Sequence, residues 1–451
     1  GININKGDVT NNGEIISNDG AIGVNIKGGS FTNAGVINAK GINSDGVRIE
    51  KGEFITSEDS KIVVTSNDKM TSGKSEASGV RVNESSNFKN NGLIEVTGTS
   101  DSKYSGYQAK GININNKDAS AENKGQIVVN RNGIGVSTKG SFTNSNKIDA
   151  NNGSIGINII DSGNAINNEN ITANNSSYGV QVSANGTFEN NGTIVVNNGS
   201  IGIVAVKSGE NTEIVNNGVI EVAGENSTGM QANDGRKVTN NGKINVNAQK
   251  FTSGLKATGN KSIAENNGEL TIVGDDKNTS NGIIAQNGGS VINKENATVI
   301  ASGKTTSAMS ANGKNSKATN NGIVKIDKGS IGMKLEASSI GYNDGVIEGN
   351  GKGVTVKDSL FVNKGEINTS NVGIESLGNS TVYLKNGSIV KGTIKGNENI
   401  NILAVDGNIV GSGSYSNLDV DKYEGIVVKN GDVDIADSSI FLEYNKGTKE
   451  Y

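Results

Sequence analysis

The sequence predicts an all-β protein, a parallel β-helix solenoid with about 25 residues and three short strands in each coil. Three observations carry that prediction. An Asn recurs two residues ahead of a Gly-like position and an aliphatic pair, as in NNGTIVV, NNGVIEV, NNGKINV and NNGELTI. A second motif, Gly-ϕ-x-ϕ with ϕ aliphatic, interleaves with the first. Between the two lies a short small-aromatic-x-Asn segment, seen as GSFTN, SNFKN, GTFEN and SLFVN.

The Gly-ϕ-x-ϕ motif is the first strand. Its sixteen copies between Gly1 and Gly373 include Val24 and Ile26, Val80 and Val82, Ile134 and Val136, Ile157 and Ile159, and a degenerate Ile374 and Ser376. Each of the three segments alternates apolar and polar over only a few residues, which marks a half-buried strand rather than a helix. Three strands and three corners in ~25 residues make one coil of a solenoid. The motif's second aliphatic becomes Ala in five successive copies (Ala205, Ala232, Ala257, Ala285 and Ala311), which suggests a locally slimmer wall.

The leading Asn opens the third strand's corner. It stands at Asn11, Asn33, Asn90, Asn123, Asn144, Asn167, Asn190, Asn216, Asn240, Asn266, Asn293, Asn320, Asn343 and Asn363. One copy departs, where Glu58 precedes SKIVV. Asn-Gly is also the strongest short hairpin signal, but a string of hairpins gives no reason for the Asn two before Gly to recur in every copy. A stack does. Identical corners lie ~4.8 Å apart, so each Asn amide can donate to the carbonyl oxygen of the next. The Gly is expected to supply a positive φ that turns the chain out of this ladder.

Composition fits such a stack. Only 33% of residues are hydrophobic, yet the net charge is −4, far from the high charge of disordered chains. There are 64 Gly and no Pro, so the backbone can turn often and still donate hydrogen bonds. No Cys and no His are present, which removes disulfides, thiol nucleophiles and the commonest general base and metal ligand. An acidic pI near 5.3, with only four Arg, is no nucleic-acid binder's. No apolar run reaches the ~18 residues of a membrane-spanning helix. The opening GININ lies in mid-motif, so the chain reads as a fragment of a larger protein. Residues 1–390 are expected to form about 16 regular coils, and 391–451 degenerate coils or a transition segment.

Corner lengths separate the faces. From the first-strand Gly to the Gly-like ladder position the interval is 12 to 16 residues, but from there to the next first-strand Gly it runs from 8 to 19. Solenoids place such insertions on one face, often the binding face. The longest are Thr65–Ser78 and Gly98–Lys110, the second carrying Tyr104 and Tyr107. Arg48 and Arg81 occupy the same outward first-strand position on consecutive coils beside them. Tyr and Arg are enriched at interaction hot spots, so these four are the candidate binding residues; the plainer reading is amphipathic loop filling and strand shielding. Asn247–Ser253 and Gly274–Asn281 are lesser candidates.

Catalysis finds little support. Along the outward first-strand positions, which include Asn113, Gly135, Asn158, Gln181 and Lys256, no two carboxylates stack, and Asp275–Asp276 reads as solvated loop charge. No catalytic residue, metal ligand or cofactor site is expected, and the chain is not expected to be an enzyme.

Tandem FxNNGxIxV…sxGIxV coils, rich in Asn, Gly, Ile and Lys and nearly free of Cys, Trp and Pro, resemble the passenger domains of large autotransporter adhesins, the fusobacterial outer-membrane type most of all. The resemblance covers roughly residues 1–390 and carries no residue-specific binding motif. It implies a right-handed β-helix at the bacterial cell surface, secreted through and anchored by a C-terminal β-barrel outside this sequence, or released after cleavage. It further implies attachment to a host-cell glycan or protein receptor, or to other bacteria. A stalk ~80 Å long would follow from 16 or 17 coils at ~4.8 Å. The alternatives are a cytotoxin-like or immune-modulating passenger and a polysaccharide-active β-helix enzyme.

Overall fold

A computed structural model describes residues 1–66, 77–99, 109–206, 213–275, 277–327, 329–385, 388–395, 401–406 and 425–429. Every regular element among them is a β-strand, and the strands pair in parallel within each unit, as in Ile22–Ile26 with Asp45–Ile49 and Ser290–Asn293 with Lys317–Asn320. The chain divides into two compact units, Gly1–Glu221 with Ser227–Met230, and Val222–Asn226 with Gln231–Tyr451. Each unit is a β-solenoid of three walls.

In the first unit one coil runs through Ile22–Ile26, Ser30–Asn33 and Val36–Lys40, strands of the first, second and third walls. Each pairs with its counterpart one coil on, Val24 with Val47, Phe31 with Phe54 and Ile37 with Ile62. These side chains are fully buried, and each large aliphatic or aromatic one contributes about 1.5–3 kcal/mol of hydrophobic stabilisation. Phe31, Phe54 and Phe88 stack with ring centroids 5.2 and 4.8 Å apart. Beyond them the second wall alternates Phe88, Ala121, Phe142, Ala165 and Phe188 in register, so bulky rings are spaced by small residues.

In the second unit the first wall reads Leu255/Ala257, Ile283/Ala285, Met309/Ala311 and Met333/Leu335. Volume is traded between walls. Where Leu335 replaces Ala, the second wall carries Gly341, and a Cβ there would lie 2.4 Å from Leu335 Cδ1. Arg236, 1% exposed, is the largest fully buried side chain, and burial lowers its pKa.

The Asn ladder runs inside each unit. Nδ2 of Asn11 donates to Oδ1 of Asn33 at 2.7 Å. From Asn90 the chain of bonds continues through Asn123, Asn144, Asn167 and Asn190 to Asn216 at 2.6 to 2.8 Å. In the second unit it runs from Asn240 through Asn266, Asn293, Asn320 and Asn343 to Asn363 at 2.8 to 2.9 Å. The second amide hydrogen bonds locally, as from Asn190 to Gly192 O at 3.1 Å.

Three details of the sequence reading are corrected. The Gly after the ladder Asn is not in a positive-φ conformation; it is needed for close approach, since a Cβ on Gly125 would lie 2.0 Å from Gly92 O and one on Gly218 2.1 Å from Gly192 O. The irregular copy keeps its ladder contact through Thr56 rather than breaking at Glu58. Thr56 pairs with Asn33, and its Oγ1 donates to Asn90 Oδ1 at 2.9 Å. Finally, the first-wall strand Ile134–Thr138 is phased two residues later than expected. Val136 and Thr138 pair with Ile112 and Ile114, so the outward residue is Ser137, not Gly135. Thr138 replaces the second aliphatic and satisfies its hydroxyl by donating to Gly140 O at 2.9 Å.

The other two corners carry hydroxyl ladders. In the first unit the amide of Ser154 donates to Ser177 Oγ at 3.2 Å, and that of Ser177 to Ser200 Oγ at 3.1 Å. In the second unit the amides of Ser339 and Ser359 donate to the hydroxyls of Ser359 and Ser380 at 3.3 and 3.4 Å. The shortest third-to-first corner disappears altogether. Strand Glu366–Leu377 runs straight through it, pairing with a third-wall strand at Val346 and a first-wall strand at Val354.

Candidate functional site

The corner between third and first walls is where chain length varies, and each unit shows what stands there. In the first unit Arg48 and Arg81 are register partners on the outward face of adjacent first-wall strands. Both turn to Asp45, whose carboxylate is fully buried. Arg48 Nε and Nη2 donate to Asp45 Oδ2 at 2.8 and 2.5 Å, and Arg81 Nε donates to both carboxylate oxygens at 3.0 Å. Arg81 Nη2 adds a bond to Ser78 Oγ at 3.3 Å. The two Arg side chains remain 31% and 19% exposed. The group is thus a charge clamp across coils, with a single positive charge left over. Tyr104 and Tyr107 lie outside the described residues.

In the second unit two lesser candidate loops form one fastened platform. Its lower loop is tied on three sides. The Lys250 carbonyl accepts from the amide of Asn226 at 2.7 Å, Thr252 Oγ1 donates to Gly224 O at 2.7 Å, and the Thr252 amide reaches Ser280 Oγ at 3.3 Å. The upper loop closes as an Asx turn. Asp275 Oδ1 accepts from the amides of Lys277 and Asn278 at 3.0 and 2.9 Å, and Oδ2 accepts from Asn278 Nδ2 at 2.8 Å. Those bonds, the Asn278 side chain foremost, hold the Asp275 pKa below the usual carboxylate value.

At the tip stands Phe251. Its amide donates to Thr279 O of the upper loop at 2.9 Å. Its φ is +54°, a left-handed conformation that is an outlier for a bulky residue. The residue is 59% exposed, with Lys250 Nζ 5.6 Å from the ring centroid. Val273, 47% exposed, ends the adjacent third-wall strand. The bonds of both loops thus hold a left-handed backbone at a bulky residue whose side chain buries little.

Phe251 was not singled out from the sequence, although a signal existed. Phe31, Phe54, Phe88, Phe142, Phe188 and Phe361 all sit on second-wall strands, and Phe251 falls in a corner. Among the described residues no group of three or more His, Cys, Asp or Glu side chains converges to hold a metal ion, and no helix is long and apolar enough to cross a membrane.

Residues 195–439, more than half of the chain, match the family described as the BigA third pectate lyase-like domain. The chain belongs to that family. It is a β-helix domain of the bacterial surface-protein kind, which agrees with the solenoid built from its repeats. No curated protein and no solved structure matches the chain.

Proposed function

We propose that this member of the BigA third-domain family is an adhesin passenger. It attaches a bacterium to a host-cell glycan or protein receptor, or to other bacteria, from a β-helix held in the outer membrane by a β-barrel elsewhere in the protein. It carries out no catalysis. The observation that carries the reading is Phe251, exposed and conformationally strained on a hydrogen-bonded two-loop platform. Aromatic anchors dominate interface energetics, and a corner loop on a rigid scaffold is the usual place for them. The surface-protein family and the absence of His and Cys agree with it.

The test is adherence of purified protein to cultured host cells and to bacterial partners. Phe251→Ala is expected to lower adherence at least fivefold without lowering the melting temperature. Adherence equal to that of the parent protein would sink the reading of this corner. Sugar release from a panel of polysaccharides would sink the statement that the domain is not an enzyme.

A further inference from the structure

Just outside the ladder, the corner repeats the pair Asn-Gly, as at Asn91–Gly92, Asn191–Gly192, Asn217–Gly218, Asn267–Gly268 and Asn321–Gly322. This pair is chemically fragile. The amide nitrogen of the second residue can attack the side-chain carbonyl carbon of the first, and glycine, with no Cβ, hinders that attack least. In most coils the fold holds both reacting groups. The amides of Gly192, Gly218 and Gly268 donate to Asn167 O, Asn190 O and Asn240 O at 3.0, 2.9 and 3.1 Å. The side chains of Asn191, Asn217 and Asn267 donate to Oδ1 of Asn168, Asn191 and Asn241 at 3.3, 3.3 and 2.9 Å, forming an outer row of amides.

A four-residue turn lengthens this corner at 57–60 in the first unit and at 294–297 in the second. In each, the last amide donates to the first carbonyl, at 3.2 and 3.1 Å. Behind the first turn Thr56 stands in for the ladder Asn. Its Oγ1 accepts from the Gly92 amide at 3.1 Å, and its carbonyl accepts from Asn91 Nδ2 at 2.7 Å. Behind the second stands Asn293, whose carbonyl takes the Asn321 amide at 2.8 Å, while the Ile323 amide goes to Ala297 O at 2.9 Å. No described residue accepts from the buried Gly322 amide between them. An orphaned buried amide is rare. No described residue holds the Asn321 side chain either, for its column neighbours are Lys294 and Asp344.

We propose that Asn321 is a site of spontaneous deamidation in the folded chain, and that Thr56 protects the matching pair in the first unit. Gly322 N attacks Asn321 Cγ and forms a C–N bond, and the side-chain nitrogen leaves as ammonia with the amide proton. Water then opens the succinimide ring at either carbonyl, giving aspartate or isoaspartate. Both products place a new negative charge next in the column to Asp344. Isoaspartate also adds a backbone carbon where Gly322 packs against the carbonyls of Lys294 and Ala297, a spot with no room even for a Cβ. The reaction is therefore a chemical clock that loosens one chosen contact between coils. It stands independently of the attachment reading.

The experiment is peptide mass mapping of the whole chain during incubation in mildly alkaline buffer, run beside the same chain unfolded in guanidinium. In the folded chain Asn321 is expected to deamidate at least tenfold faster than Asn191, Asn217 and Asn267. In guanidinium the four should react at similar rates. Thr56→Val, which keeps the side-chain shape and removes the hydroxyl, should raise the rate at Asn91 at least threefold and leave Asn191 unchanged. Amide exchange between residues 293 and 343 should quicken as Asn321 converts. Equal rates at Asn321 and Asn191 in the folded chain overturn the proposal. An Asn91 rate unmoved by Thr56→Val, in a protein with parental circular dichroism, overturns its hydrogen-bond cause.

Discussion

Arg81 Nε lies 3.0 Å from both oxygens of the Asp45 carboxylate, which belongs to the preceding coil. The contact ties the first-wall strand Asp45–Ile49 to its successor Ser78–Val82, the strand into which the first of the two longest insertions returns. Breaking a buried ion pair costs ~3–5 kcal/mol, but both Arg heads can turn to water, so Asp45→Ala is expected to cost about 2–3 kcal/mol. Guanidinium unfolding of the parent and the variant measures it. A loss below ~0.5 kcal/mol would mean that the clamp is incidental.

Asn190→Leu removes the bonds to Asn216 and Gly192 and strips Asn167 of its acceptor. At about 1–3 kcal/mol for each buried group left unsatisfied, it should clearly lower the melting temperature. Amide hydrogen exchange should speed up first between residues 167 and 216, because coils contact only their neighbours. Asn185→Leu, at an exposed corner position, should change neither. Equal effects of the two substitutions would mean that the ladder does not hold the stack.

Phe251→Gly should stabilise the chain. Glycine adopts the left-handed conformation freely, and relief of a strained position is worth about 1 kcal/mol or more, against little packing lost from a residue 59% exposed. A rise in melting temperature together with a fall in adherence is the expected pair of results. A fall in both would show the ring to be a packing residue.

Two titrations carry opposite signs. Asp275 has a depressed pKa in the folded chain, so the Asx turn's stability is complete above the ordinary carboxylate value of ~3.9 and is lost as pH falls through the depressed one. Lys256 is lowered by burial, so the folded state is penalised at neutral pH and recovers as pH rises from the lowered value toward the ordinary ~10.4. Amide chemical shifts of Lys277 and Asn278 followed below pH 4 test the first. For the second, Lys256→Gln should remove any gain in stability between pH 7 and 10.

The repeat was legible because its constraints act in one dimension. A buried amide must meet its own copy in the next coil, which fixes Asn144 or Asn320 to one phase and prints that phase in the chain. Phasing failed at Ile134–Thr138, where Gly133 and Gly135 both fit the motif and Thr138 hides the second inward position. The Ser columns escaped notice because their hydroxyls alternate with Gly and Ala at the same corners. Arg48 and Arg81 were found, but not their purpose, since Asp45 lies buried one side chain away and alternation alone does not say which residues are covered. Phe251 lies in a corner, where period-two patterning carries no information and only backbone geometry reveals the strain.

Each Asn-to-Asn bond of the ladder described within the two units points the same way, from Nδ2 on one coil to Oδ1 on the following one. Such a column has a donor face and an acceptor face, like the two ends of a magnet. Wherever a run of these coils is exposed, a second run can extend the column only if it arrives in the same orientation, for face-to-face meeting sets N–H against N–H or oxygen against oxygen. Accidental joining of two molecules through this column is thereby restricted to head-to-tail growth.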